Sequence, residues 1–202
     1  MAQDGPYTLD DLVALTGGKK KSAAKNLEWL ARVSSLKARP DAPKVSRLIG
    51  IDPGTRFVGW GVIECDAKTQ TLTAVDFGCI APGEKLPLKD RLRGIFEALE
   101  AVLARTKPHF ASLEETFAGV NMKSAIAMGY GRGIALLALA RADLEVLELS
   151  PRSIKQAVTG SGAAGKARVA LMVASRLGLK KAPKPEDVTD ALAAAIALSQ
   201  HV

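Results

Sequence analysis

The amino-acid sequence predicts an α/β fold: a mixed sheet of about five strands covered by helices, with a short helical extension ahead of it. Three observations predict it. Apolar runs and two-residue alternation fill residues 48–79, which read as three strands with short connections. Helical and strand patterns then alternate from residue 88 onward, the order that lays helices against a partly parallel sheet. The chain has 202 residues, 48% of them apolar and 24% charged, which suits one ordinary domain with an appendage.

The elements follow in order. Leu9 to Leu15, capped by Thr8, reads as a short helix ended by Gly17-Gly18, and Lys19 to Val33 as a second helix. Its apolar side carries Ala23, Leu27, Leu30 and Ala31, with Lys20, Lys21 and Lys25 elsewhere. Lys37 to Ser46, holding Pro40 and Pro43, reads as a linker, so residues 1–46 form a basic extension and residues 47–202 the main domain. Such a basic helix pair could touch a DNA backbone, but a charge run of this kind is more often a solvated face. Leu48 to Ile51 is a short apolar run fit for a central strand, and Phe57 to Ile63 a second with Gly59 and Gly61 inside it. Thr71 to Cys79 alternates as a third strand. Leu88 to Leu103 has helical spacing, His109 to Leu113 is a strand ending in Glu114-Glu115, and Asn121 to Ala142 is a long Ala-rich helix. Leu144 to Leu149 is the fifth strand. Helices follow at Pro151 to Val158, Lys166 to Leu177 and Glu186 to Gln200.

Bulk chemistry narrows the partners. A net charge of +7 and a pI near 9.5 favour a polyanion, with nucleic acid ahead of an anionic membrane surface. Cys65 and Cys79 are the only cysteines and form no CxxC, and His109 and His201 are the only histidines. A disulfide framework, a zinc cage and a histidine-rich metal site are therefore unsupported. No apolar run nears a membrane span and no signal peptide opens the chain, so a cytoplasmic protein without membrane contact is expected.

Residues 49–64, IGIDPGTRFVGWGVIE, place one carboxylate, Asp52, at the end of a core strand, where unpaired burial costs several kcal/mol. Two chemistries want it there: a metal ligand in a nuclease, or an Asp-Pro-Gly-Thr turn holding the phosphates of ATP. Glu114 closes the fourth strand, and Asp187 and Asp190 share one face of the last helix at i, i+3. Parallel neighbouring strands would bring Asp52 and Glu114 together, and a helix across that edge would add the other two. At about 5 Å and an effective dielectric near 20, each pair repels by roughly 3 kcal/mol. Either some protonate or hard divalent cations bridge them, Mg2+ first and Mn2+ as substitute. Two such ions about 4 Å apart activate water and stabilise the leaving oxygen of a phosphodiester. Each acid alone has a plainer reading: Asp52 as a turn-former, Glu114 as a surface residue, Asp187 as a first-turn carboxylate and Asp190 as an exposed acid.

Two glycine stretches invite other readings. GSGAAGK at 160–166 fits GxGxxG and the start of a P-loop, but a helical segment precedes it and Ala167 replaces the magnesium-holding hydroxyl. Only 36 residues follow Lys166, and the ATP-binding reading needs a second related domain. No nucleotide cofactor is expected, and the loop either lets Lys166 approach a phosphate or is a plain connector. GYGRG at 129–133, inside a helical pattern, reads as close helix packing, including against a second subunit.

IGIDPGTRFVGWGVIE, LEETFAGVN at 113–121, SPRSIKQAVTGSGAAGKARV at 150–169 and DVTDALAAAIA at 187–197 together resemble the RuvC family of bacterial Holliday junction resolvases. The likeness covers about residues 47–202. It implies an RNase H-like (retroviral-integrase-like) fold, a homodimer acting on four-way junction DNA in recombination and repair, and a branch-migration motor complex as partner. It implies that Asp52, Glu114, Asp187 and Asp190 hold two Mg2+ and carry catalysis, with in-line hydrolysis leaving 5′-phosphate and 3′-hydroxyl ends. It sets Lys155 and Lys166 near the scissile phosphate, Phe117 against a base at the junction, and Asn121 and Ser124 at the DNA surface. Residues 1–46 have no counterpart in the typical member, and Glu115 and Val120 depart from its pattern. The chain also ends 12 residues after Asp190, without the longer tail of some members.

Overall fold

The computed structural model describes residue 31 and residues 44–115 and 122–202, with backbone alone at 122–124. The two N-terminal helices expected from the sequence, Phe117 and Asn121 lie outside the described residues, as does the side chain of Ser124.

Five strands make one sheet: β1 (Val45–Asp52), β2 (Val58–Asp66), β3 (Leu72–Ile80), β4 (Phe110–Glu114) and β5 (Glu145–Leu149). Their order is β3-β2-β1-β4-β5, with β1–β2 and β2–β3 antiparallel and β1–β4 and β4–β5 parallel. The meander arises because short turns can join only antiparallel neighbours, whereas β4 and β5 are reached through helices. The helices are α1 (Leu88–Thr106), α2 (Met122–Arg141), α3 (Pro151–Thr159), α4 (Lys166–Arg176) and α5 (Glu186–Ser199). Among the described residues, no helix is long and apolar enough to cross a membrane.

Each face of the sheet buries its own core. One face gathers Ile49, Ile51, Val58, Trp60, Val62, Ala111 and Leu113 against α1 and α2. The other gathers Leu48, Ile63, Phe110, Leu147 and Leu149 against α3, α4 and α5. Burial on both sides explains why β1 reads as a continuous apolar run, while the edge strand β3 keeps its alternation, with Val75 and Phe77 exposed. The α5 helix, EDVTDALAAAIALS, is buried from Val188 to Ser199 except at Asp190.

β1 starts at Val45, inside the segment that reads as a linker. Polar residues disguise it. Arg47 is satisfied by Glu64 on β2 at 2.7 Å and by the Thr106 carbonyl at 2.6 Å, partners that no local pattern reveals.

Candidate active site

Register builds the site. In the parallel β1–β4 pair, Ile51 lies beside Leu113, so the next residues, Asp52 and Glu114, end two adjacent strands at the same edge. Both point to the α5 face, being two residues on from Gly50 and Ser112. Across β2, Gly50 pairs with Gly61 and Asp52 with Gly59. These three glycines form a trough. A Cβ at Gly50 would strike the Ala191 carbonyl, one at Gly59 the Asp187 carbonyl, and one at Gly61 the Leu192 side chain. The α5 backbone therefore lies directly on β1 and β2, which carries its first turn, with Asp187 and Asp190, over Asp52. Glycine inside a strand signals such a close approach, and Gly50, hidden in the short apolar run of β1, is the clearest case.

Electrostatics shows which charges meet. The Asp52 carboxyl is pushed up to about 7, first by burial, then by Asp190, Glu114 and Asp187, with Lys166 opposing. Burial and Asp190 raise Glu114, while Lys155 and Lys166 pull it down. Asp190 is raised by burial and by Glu186 and Asp187, against Lys166 and Lys155. All four acids thus stand in one field, with two lysines at its margin. Lys155 comes from α3. Lys166 opens α4 and donates to Glu186 Oε2 at 2.9 Å, a contact that no sequence pattern signals.

The connection between these lysines is helix to helix. Gly160 caps α3 at φ 78°, and Gln156 Oε1 accepts from the Gly162 N–H at 2.9 Å. GSGAAGK thus lacks the strand-to-helix setting of a P-loop.

Four buried or half-buried carboxylates with all-oxygen donors suit hard divalent cations. Among the described residues, no three His, Cys, Asp or Glu side chains already stand as a metal cage. The acids nevertheless sense one another's charge.

Thermus thermophilus RuvC matches this fold with a TM-score of 0.69 and 34% identity, covering 75% of this chain and 92% of that one. A second structure, T. thermophilus RuvC in complex with Holliday junction substrate, matches at 0.68 and 31%, covering 75% and 91%. The mixed sheet with flanking helices is accordingly an RNase H-like fold of the resolvase type. The family model for crossover junction endodeoxyribonuclease RuvC matches residues 48–198. The RuvC of Chloroflexus aggregans is 44% identical over 150 residues, 74% of this chain and 90% of its own length. The chain belongs to the RuvC family.

Proposed function

We propose that this chain is a structure-selective endodeoxyribonuclease that resolves Holliday junctions by nicking two strands symmetrically, in recombination and repair. One observation carries the reading beyond family membership. Asp52 and Glu114 at two strand ends and Asp187 and Asp190 on α5, spread over 139 positions of the sequence, lie closely enough for the other three to raise the Asp52 pKa.

The four acids would hold divalent cations, two Mg2+ with Mn2+ as substitute, which would activate water and stabilise the leaving oxygen in phosphodiester hydrolysis. Asp52, the acid that feels the other three, would be the central carboxylate of the group that holds the cations. Glu114 would complete one cation position, Asp187 and Asp190 the other. Lys166 and Lys155, whose positive charge already reaches Glu114 and Asp190, would neutralise charge developing on the phosphate. Phe117 would stack on a base at the opened crossover, an interaction worth about 1–3 kcal/mol. Asn121 and Ser124 would meet the DNA backbone nearby.

A four-way junction offers two equivalent scissile sites, so a C2 homodimer fits the substrate. The surface of α2 supports it. Ile126, Tyr130 and Leu137 are 49%, 46% and 49% exposed along one stripe, and Gly129 and Gly133 leave open space beside them. The setting of this work is the cytoplasm, with a branch-migration motor handing over the junction.

The test is cleavage of a mobile four-way junction, a Y-fork and a linear duplex side by side, with Mg2+ and with EDTA. Paired nicks in the junction, only with Mg2+, are the expected outcome, together with at least a hundredfold loss in Asp52→Asn (about 3 kcal/mol or more of barrier). Equal cleavage of all three DNAs, or an active Asp52→Asn, removes the proposal.

A further inference from the structure

The proposed function leaves Gly131 and Arg132 of GYGRG unused, yet these two residues touch both strand ends that bear the acids. Gly131 abuts the Asp52-Pro53-Gly54 turn: a Cβ there would stand 2.5 Å from the Gly54 oxygen and 2.6 Å from its carbon. The next residue, Arg132, reaches the other strand end. Its Nη1 donates to the Glu114 carbonyl at 2.6 Å, and its Nη2 meets Glu148 Oε2 on β5 at 2.7 Å. These side chains are only 16% and 22% exposed, so the guanidinium is held rather than waving in solvent.

Glu114 needs a second anchor. Pairing of β4 with β1 ends at Leu113, so at Glu114 only β5 still holds the strand, through Leu149. The peptide that follows is tied by the Glu115 N–H to the Leu149 carbonyl at 2.7 Å. The Arg132 bond fixes the Glu114 carbonyl as well, and a fixed peptide plane at a strand end fixes where its Cβ points. A guanidinium suits this task because its planar fork can bind carbonyl and carboxylate together in one geometry.

We propose that Arg132 is a positioning residue: through its bond to the Glu114 carbonyl from α2 it aims the Glu114 carboxylate into the acidic site, whether or not Glu148 keeps its charge. It acts through Glu114 and rests on the reading of Glu114 as a ligand for divalent cations. Groups that orient a ligand commonly control metal affinity or activity by about 10- to 100-fold.

The experiment uses the full chain and Mn2+ as probe. Arg132→Gln in a Glu148→Gln background avoids stranding the Glu148 charge. It should melt and bind a four-way junction in metal-free buffer like Glu148→Gln alone. Its Mn2+ affinity, read by electron paramagnetic resonance without DNA, should fall about tenfold or more. The Mn2+ concentration for half-maximal cleavage should rise in step. Arg132→Lys should recover part of both losses, because an ammonium still donates to the carbonyl. Glu148→Gln alone, which keeps the guanidinium–carbonyl bond, should stay within about twofold of wild type in Mn2+ affinity. Unchanged Mn2+ affinity in the Arg132→Gln variant, or a tenfold loss in Glu148→Gln alone, overturns the role of Arg132. The second outcome decides the matter even if the Arg132 variants fail to fold. A wild type that neither binds Mn2+ nor cleaves would instead overturn the nuclease reading itself.

Discussion

Near neutral pH the Asp52 carboxyl stands in the middle of its titration, held up at about 7 by burial first and then by Asp190, Glu114 and Asp187. The consequence for stability has a definite sign. The folded group takes its proton near 7 and the unfolded one near 3.8, so between those values the folded state binds more protons. The stability this supplies is complete below about pH 4 and is lost as pH rises through 7, a change of at most about 4 kcal/mol. In EDTA, Asp52→Asn should therefore melt above wild type at pH 8, with the gain shrinking towards pH 4. On the proposed reading a divalent cation should reverse the trend, since it would bind the ionised carboxylate and stabilise only the folded chain. The melting increment that Mg2+ gives wild type should grow from pH 6 to pH 8, while Asp52→Asn shows little. Thermal melts across that range decide it, and an increment flat in pH would remove Asp52 from the cation site.

At the scale of elements, the site depends on how closely α5 lies upon β1 and β2. Gly50 is the sharpest test, because a Cβ there meets the backbone of Ala191 and Ala195 rather than a side chain that could rotate away. Overpacking a core costs about 1–3 kcal/mol, and a backbone obstacle puts Gly50→Ala at the upper end. The variant should lower the denaturation midpoint and, by lifting α5, separate Asp187 and Asp190 from Asp52 and abolish junction cleavage. Full activity with a normal midpoint would show that the helix is not seated as described. The same contact explains what the sequence could and could not disclose. Strand and helix patterns are local, so the order of elements, the acids ending β1 and β4, and the acid pair on α5 were legible. Gly59 and Gly61 were visible as strand glycines, but their use required knowing that α5, more than 120 residues away, would cover them. Arg132 is one charge inside a helix read only for its small residues, and its partners come into view only once β4 and β5 lie beneath α2. Ser46 and Arg47 hid the start of β1 for a like reason: the charge of Arg47 is answered by tertiary partners.

At the scale of the whole molecule, α2 faces two ways. Its inner side carries Gly131 and Arg132 to the turn after Asp52 and to the Glu114 carbonyl, while its outer stripe of Ile126, Tyr130 and Leu137 is exposed. A second copy related by a two-fold axis can lay the same stripe against it, and the open space at Gly129 and Gly133 permits close backbone approach. Aromatic anchors at the centre of such interfaces often contribute about 2 kcal/mol or more each. Tyr130→Asp with Leu137→Asp sets unpaired charge into that centre, so the doubly substituted chain should sediment as a monomer while keeping the wild-type circular dichroism spectrum. It should still carry the four acids of its own chain, and so on the proposed reading retain Mn2+ binding, yet nick junctions singly rather than in pairs. The readout is a supercoiled plasmid carrying an extruded cruciform, where paired nicks within one binding event give linear product and independent nicks give open circles first. A variant that sediments like wild type, or that still linearises the plasmid directly, removes this stripe from the proposed dimer.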